Sequence, residues 1–170
     1  ISLLSSGPRC GIGEIILPTV EPGSSIMPGK INPSQCESMK MVAMQVIAND
    51  NMISQANASG NLQLNVAKTA VIYNLIQSIE ILTDMSKSFL IHCLNGIKPN
   101  LTKIQENLDK NLMLATILNK AIGYEKASKI VFKAFNENKT LKKAACELNL
   151  LDEKTFDEIV YPKKMLRPHE

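Results

Sequence analysis

Two long stretches of this chain, residues 34–56 and 62–95, are apolar nearly all the way round a helix. Met41, Val42, Met44, Val46, Ile47, Met52 and Ile53 do not fit on one stripe of the first. Val71, Ile72, Leu75, Ile76, Ile79, Ile81, Leu82, Met85 and Phe89 do not fit on one stripe of the second. A helix of that kind is buried on several sides. A chain of 170 residues cannot cover two of them. Other helices must do so, from further sequence or from other subunits.

The bounds of these helices follow from local signals. Asn32-Pro33 reads as an N-cap followed by proline in the first turn, and Ser34 with Glu37 reads as a capping box. The first helix is expected over Ser34–Ala56 and is broken by Ser59-Gly60-Asn61. The second is expected over Leu62–Asn95, roughly 50 Å long, with Gly96 as its C′ residue.

Charge divides the chain. Residues 1–97 hold 5 Lys/Arg and 6 Asp/Glu, whereas residues 98–170 hold 14 and 10. From Pro99 the pattern becomes short amphipathic helices with Thr140 and Asp152 as caps. Two domains are therefore expected: 1–97, the later part of a helical bundle with an irregular approach that includes a short strand, and 98–170, a small helical lobe. The fold class is all-α.

A net charge of +3 gives no case for nucleic acid, and no basic patch is interleaved with aromatics. Cys10, Cys36, Cys93 and Cys146 are scattered, and His92 and His169 add no metal-ligand spacing. Reduced, buried thiols in a cytosol-like compartment are expected. No signal peptide and no membrane-spanning run is present. The chain begins at Ile1 in an apolar segment running into a glycine-rich loop, which reads as the later part of a longer protein.

Chemistry concentrates in Gly23–Pro33, GSSIMPGKINP. Two serines, a lysine, an asparagine, two glycines and two prolines share eleven residues. Glycine lets backbone N–H groups approach a ligand, and proline holds the loop in one shape. The guest such a donor-rich loop suits is an anion, a carboxylate or phosphate.

This segment closely resembles the GSSxMPxKxNP signature of the fumarase/aspartase superfamily. Gly29 and Ile31 resemble the class II fumarase branch, since aspartases tend to carry alanine at the first position. SGPRCGIGEI, PSQCE, SGNLQLNV, IYNLIQSI and NLMLATILNKAIGYEKASKI extend the similarity over essentially the whole chain. Thr69 and Lys120 depart from it by standing where fumarases have proline. The resemblance covers the C-terminal third to two-fifths of such an enzyme.

It implies reversible hydration of fumarate to malate, a tricarboxylic acid cycle reaction, without metal or cofactor. It implies a homotetramer built on long bundle helices, with active sites shared between subunits. Ser24 would be the catalytic base, and Ser25, Lys30 and Asn32 would bind the dicarboxylate. Glu37 would orient an acid or water through a histidine on a preceding segment. Each has a plainer reading: Ser24 as a turn cap, Lys30 as a surface lysine, Asn32 as an N-cap, Glu37 as a capping-box residue. His92 reads as a structural histidine, and Met39, Met41 and Met44 as core packing. Arg9 is expected to pin the loop through Glu14 or Glu21. Asn61 and Asn65 are expected to satisfy backbone near the site. Cytoplasm is the expected compartment, with the mitochondrial matrix as the other. Two other functions stay open, an aspartate ammonia-lyase or other lyase of the superfamily, and an inactive truncated relic or assembly piece. The segment alone is expected to be inactive.

Overall fold

The computed structural model describes residues 1–7 and 9–166; Pro8 and residues 167–170, which include His169, lie outside the described residues. The chain divides into two compact units, Ile1–Asn100 and Leu101–Glu170.

The first unit is a helical hairpin with an irregular N-terminal approach. Helix α1 spans Ser34–Ala58 and helix α2 spans Lys68–His92. Gln35 pairs with Ser88, and Asn49 pairs with Gln77 and Ser78, so the helices run antiparallel. Asn49 is 3% exposed, and its amide is fully used. Nδ2 donates to Gln77 Oε1 at 3.0 Å and Ser78 Oγ at 2.9 Å, and Oδ1 accepts from Gln45 Nε2 at 2.9 Å. A buried amide is tolerated when each of its groups is satisfied in this way. A two-stranded antiparallel ribbon pairs β1, Ile15–Ile16, with β2, Lys98–Pro99. It ties the approach to the segment that follows the hairpin.

Both helices differ in length from the sequence expectation. α1 runs two residues further, and α2 begins at Lys68 rather than Leu62. Asn61 and Leu64 close a tight turn by exchanging backbone hydrogen bonds of 2.7 and 3.0 Å. Asn65 then locks the connection, donating to Ala56 O and accepting from Ala67 N. These local bonds satisfy backbone groups that a helix would otherwise use. α2 ends at His92, and Gly96 closes a separate 3-10 turn, Leu94–Gly96.

The apolar faces of the hairpin are largely uncovered. Met41, Met44, Ile47, Ile72, Ile76 and Ile79 are each about half exposed or more. Met41 and Met44 therefore face outward and are not core residues within this unit.

The second unit closes its own core. Helices α3 (Leu101–Lys110), α4 (Leu118–Ile122), α5 (Tyr124–Asn136), α6 (Leu141–Glu147) and α7 (Glu153–Ile159) are joined by short turns, with a 3-10 segment at Leu112–Ile117. Leu118, Ile130, Ala127, Ala134, Leu141, Ala144, Ala145 and Phe156 pack together with little exposure. Thr140 caps α6 by accepting from Lys143 N, and Asp152 caps α7 by accepting from Thr155 N at 2.7 Å. That backbone donor holds the Asp152 carboxyl below its ordinary value. Lys133 and Lys139 bracket Glu137 and Glu147 at 2.6 to 3.2 Å. The two ammonium groups push the Glu137 carboxyl down to about 2.

Candidate functional site: the Gly23–Pro33 loop

The loop is stitched across its neck. Pro22 and Ile31 form an antiparallel bridge. Gly23 N donates to Lys30 O at 2.7 Å, and Asn32 Nδ2 donates to Gly23 O at 3.2 Å. One turn further out, Ser34 Oγ donates to Glu21 Oε1 at 2.9 Å. A Cβ at Gly23 would stand 2.9 Å from Lys30 O and 3.0 Å from Asn32 N, so this close approach requires glycine.

At the tip, Lys30 N donates to Met27 O at 3.3 Å, with Pro28 and Gly29 between them. Gly29 has φ +76°, the value a type II turn requires at its second central residue. Proline before it presets the first central residue.

Ser24 lies inside this frame. Its Oγ accepts from both Ile26 N and Met27 N at 3.2 Å. The side chain is half-buried, whereas Ser25 and Lys30 are exposed. Two backbone N–H groups on one hydroxyl oxygen make a turn cap. The same two donors also stabilise negative charge on that oxygen. The turn-capping reading is thus fulfilled without excluding the chemical one.

The loop carries Ser24, Ser25, Lys30 and Asn32, with Ser24 and Asn32 bonded to its own backbone. Glu37 stands on α1, one turn beyond, exposed, with its own N–H donating to Pro33 O at 3.0 Å. The expected capping box does not form. Pro33 occupies the N-cap and has no side-chain cap bond. Glu21 captures the Ser34 hydroxyl, and Gly23 O takes the Asn32 amide, so neither side chain reaches the first turn. Ser34 is already the first helical residue, one position past the N-cap, and its hydroxyl donates to the Glu21 carboxylate.

Glu21 and Gly23 are the site residues that sequence reasoning did not single out for this role. The signal was a carboxylate two residues before the motif facing a serine just after it. Glu21 bonds to Ser34, in place of the expected Arg9 contact, and Arg9 is exposed. Asn65 does satisfy backbone, but at the far end of α1, about 35 Å from the loop at 1.5 Å per residue. His92 is exposed at the last position of α2. Cys10 is exposed and Cys146 half-exposed, whereas Cys36 and Cys93 are buried. Among the described residues no three His, Cys, Asp or Glu gather as a metal site, and no helix is long and apolar enough to cross a membrane.

Comparison with known proteins extends over both units. The family described as Fumarase C C-terminus matches residues 114–167, and that described as Lyase matches residues 1–48. The fumarate hydratase class II of Rickettsia bellii is 54% identical over 167 residues, 98% of this chain and 36% of that protein. That of Thermus thermophilus is 54% identical with the same coverage. The crystal structure of recombinant class II fumarase from Schistosoma mansoni superposes with TM-score 0.87 at 48% identity, over 99% of this chain and 35% of the other. The cobalt-bound fumarate lyase:delta crystallin from Brucella melitensis superposes with TM-score 0.92 at 38% identity, over 98% and 36%. The chain thus spans little more than a third of the length of the relatives it matches.

Proposed function

We propose that this chain, which belongs to the class II fumarate hydratases of the fumarase/aspartase lyases and corresponds to their C-terminal portion, supplies the catalytic base for reversible hydration of fumarate to malate. The observation that carries the reading is the placement of Ser24 Oγ under two backbone N–H donors, on a loop that also presents Lys30.

Dehydration of malate begins with removal of a proton next to a carboxylate. The product is a dianionic aci-carboxylate, and hydroxide must leave from the adjacent carbon with a proton. A serine hydroxyl is too weak a base for the first step unless its alkoxide is stabilised. Ile26 N and Met27 N, with the Lys30 ammonium nearby in sequence, supply that stabilisation. Lys30, Ser25 and the second N–H of Asn32 then bind the carboxylates, and their donors strengthen as charge builds on the aci-carboxylate. Glu37 orients the group that protonates the leaving hydroxide. Because that group lies outside this chain, the site is completed by other segments. The uncovered faces of α1 and α2 support assembly into a helical bundle of four subunits, in a cytoplasm-like compartment.

The test follows loss of fumarate absorbance by the longest polypeptide carrying this chain, with and without ammonium. Ammonium-independent turnover is expected, and Ser24→Ala is expected to lower it by about 10²–10⁴-fold, the usual worth of a positioned general base. Turnover that requires ammonium would make the protein an ammonia-lyase. Unchanged turnover in Ser24→Ala would remove the serine from the chemistry.

A further inference from the structure

Two buried thiols meet behind the signature loop. Cys36 is the third residue of α1, and Cys93 directly follows α2. The antiparallel pairing that joins Gln35 to Ser88 brings these two positions to the same end of the hairpin. Both side chains line one small recess, together with Leu17, Pro18, Asn32 and Pro33. Cys36 is 6% exposed and Cys93 2% exposed, and both are free thiols. Burial, with Cys36 as a neighbour, raises the Cys93 thiol above its ordinary value. The proposed hydration chemistry uses neither thiol.

We propose that Cys36 and Cys93 form a peroxide-responsive dithiol that closes to a disulfide between the start of α1 and the end of α2. The Cys36 sulfur attacks the O–O bond of hydrogen peroxide, giving a sulfenic acid and releasing one water. The Cys93 sulfur then attacks the Cys36 sulfur, the S–OH bond breaks, and a second water leaves with the Cys93 proton. In sum, two thiols lose two electrons and two protons, and one peroxide is reduced to two waters. Two cysteines that line one small recess from the facing ends of α1 and α2 are placed to reach bonding geometry by side-chain movement.

The loop's own stem, Asn32 and Pro33, shares the recess. Closing the disulfide therefore shifts the anchor of Ser24 and Lys30. This consequence rests on the proposed hydratase function, whereas the cross-link itself does not. A misplacement of a catalytic group by about 1 Å is enough to cost up to ~10²-fold in rate.

The experiment treats the assembled native protein with hydrogen peroxide, blocks remaining thiols by alkylation in denaturant, and digests with trypsin. The expected product joins the peptide of residues 31–40 to that of residues 88–103, two hydrogen atoms lighter than their sum. It disappears on dithiothreitol treatment and is absent from both Cys36→Ala and Cys93→Ala. Fumarate turnover falls at least tenfold on oxidation, returns with dithiothreitol, and stays constant under the same peroxide dose in whichever alanine variant folds. Full alkylation of Cys36 and Cys93 at a dose that oxidises the exposed Cys10 would overturn the dithiol. A cross-link with unchanged turnover would overturn its coupling to the loop. Absence of any fumarate turnover before oxidation would count against the hydratase reading alone, because the cross-link is read by mass.

Discussion

The hairpin unit and the helical lobe solve the burial problem in opposite ways. In the lobe, short helices fold back on one another, and Leu118 and Ile130 are fully buried. Charged side chains cover its outside, with Lys133, Lys139, Glu137 and Glu147 in one cluster. In the hairpin, two helices of 25 residues each meet along one seam and leave Ile47, Ile72 and Ile79 facing out. The difference follows from composition. A stretch with few charges cannot dress both sides of a long helix, whereas a charge-rich stretch of short helices can. The lobe is thus finished by its own sequence, and the hairpin is built to be finished by something else.

Core truncation should break the symmetry most strongly. Ile130→Ala removes a fully buried side chain and is expected to cost about 2–5 kcal/mol. Ile79→Ala, at a site 57% exposed, is expected to stay within about 0.5 kcal/mol in the separate chain. Chemical denaturation of the 170-residue chain compares them directly. Equal costs would mean the hairpin faces are already covered within the chain. In the longest polypeptide carrying the chain, the cost of Ile79→Ala should rise toward that of Ile130→Ala.

The hairpin's one polar anchor comes next. Asn49→Ala strips partners from Gln45, Gln77 and Ser78, and is expected to destabilise by about 1–3 kcal/mol. Loss of cooperativity in the hairpin signal, with the lobe's melt unchanged, is the expected calorimetric result. A matching loss in the lobe would show the units to be one cooperative block.

Acid should act on the lobe first. The folded carboxyl of Glu137 titrates near 2, against an ordinary 4.5. Its contribution is therefore present above 4.5 and lost as the pH falls toward 2. Glu147 and Asp152 shift in the same direction, through Lys139 and through Thr155 N respectively. Circular dichroism melts between those pH values should show the lobe's transition falling earliest. Glu137→Gln should flatten that dependence.

The smallest effect tests the hairpin's backbone. Thr69 is the second residue of α2, where an N–H has no helical acceptor. Thr69→Pro is expected to stabilise by about 0.4–1 kcal/mol by restricting the unfolded chain. A drop in melting temperature would show that the Thr69 N–H is in use.

Much of this was legible before any coordinates. The all-helical class, the two uncovered helices and the caps at Thr140 and Asp152 depend on signals within a few residues of one another. The signature loop was legible for the same reason. Its turn needs Pro28 and Gly29 side by side, and its donors are adjacent in sequence. The errors arose where a local partner lost to a distant one. Ser34 reads locally as a cap of α1, but it is the first helical residue and its hydroxyl donates to Glu21, thirteen residues earlier. Residues 62–67 look helical until Asn65 bonds back to Ala56.

By itself, then, the sequence determined the chemistry available at Gly23–Pro33, the helical class, and the fact that residues 34–95 demand more burial than they provide. These are properties of composition and short-range order. Only the tertiary structure decided which hydroxyl Glu21 holds, that Ile15–Ile16 pairs with Lys98–Pro99, and that Cys36 and Cys93 line one recess. Each of those joins groups far apart along the chain. Their meeting is set by the register in which the two helices pack, and that register depends on all the side chains of the seam at once.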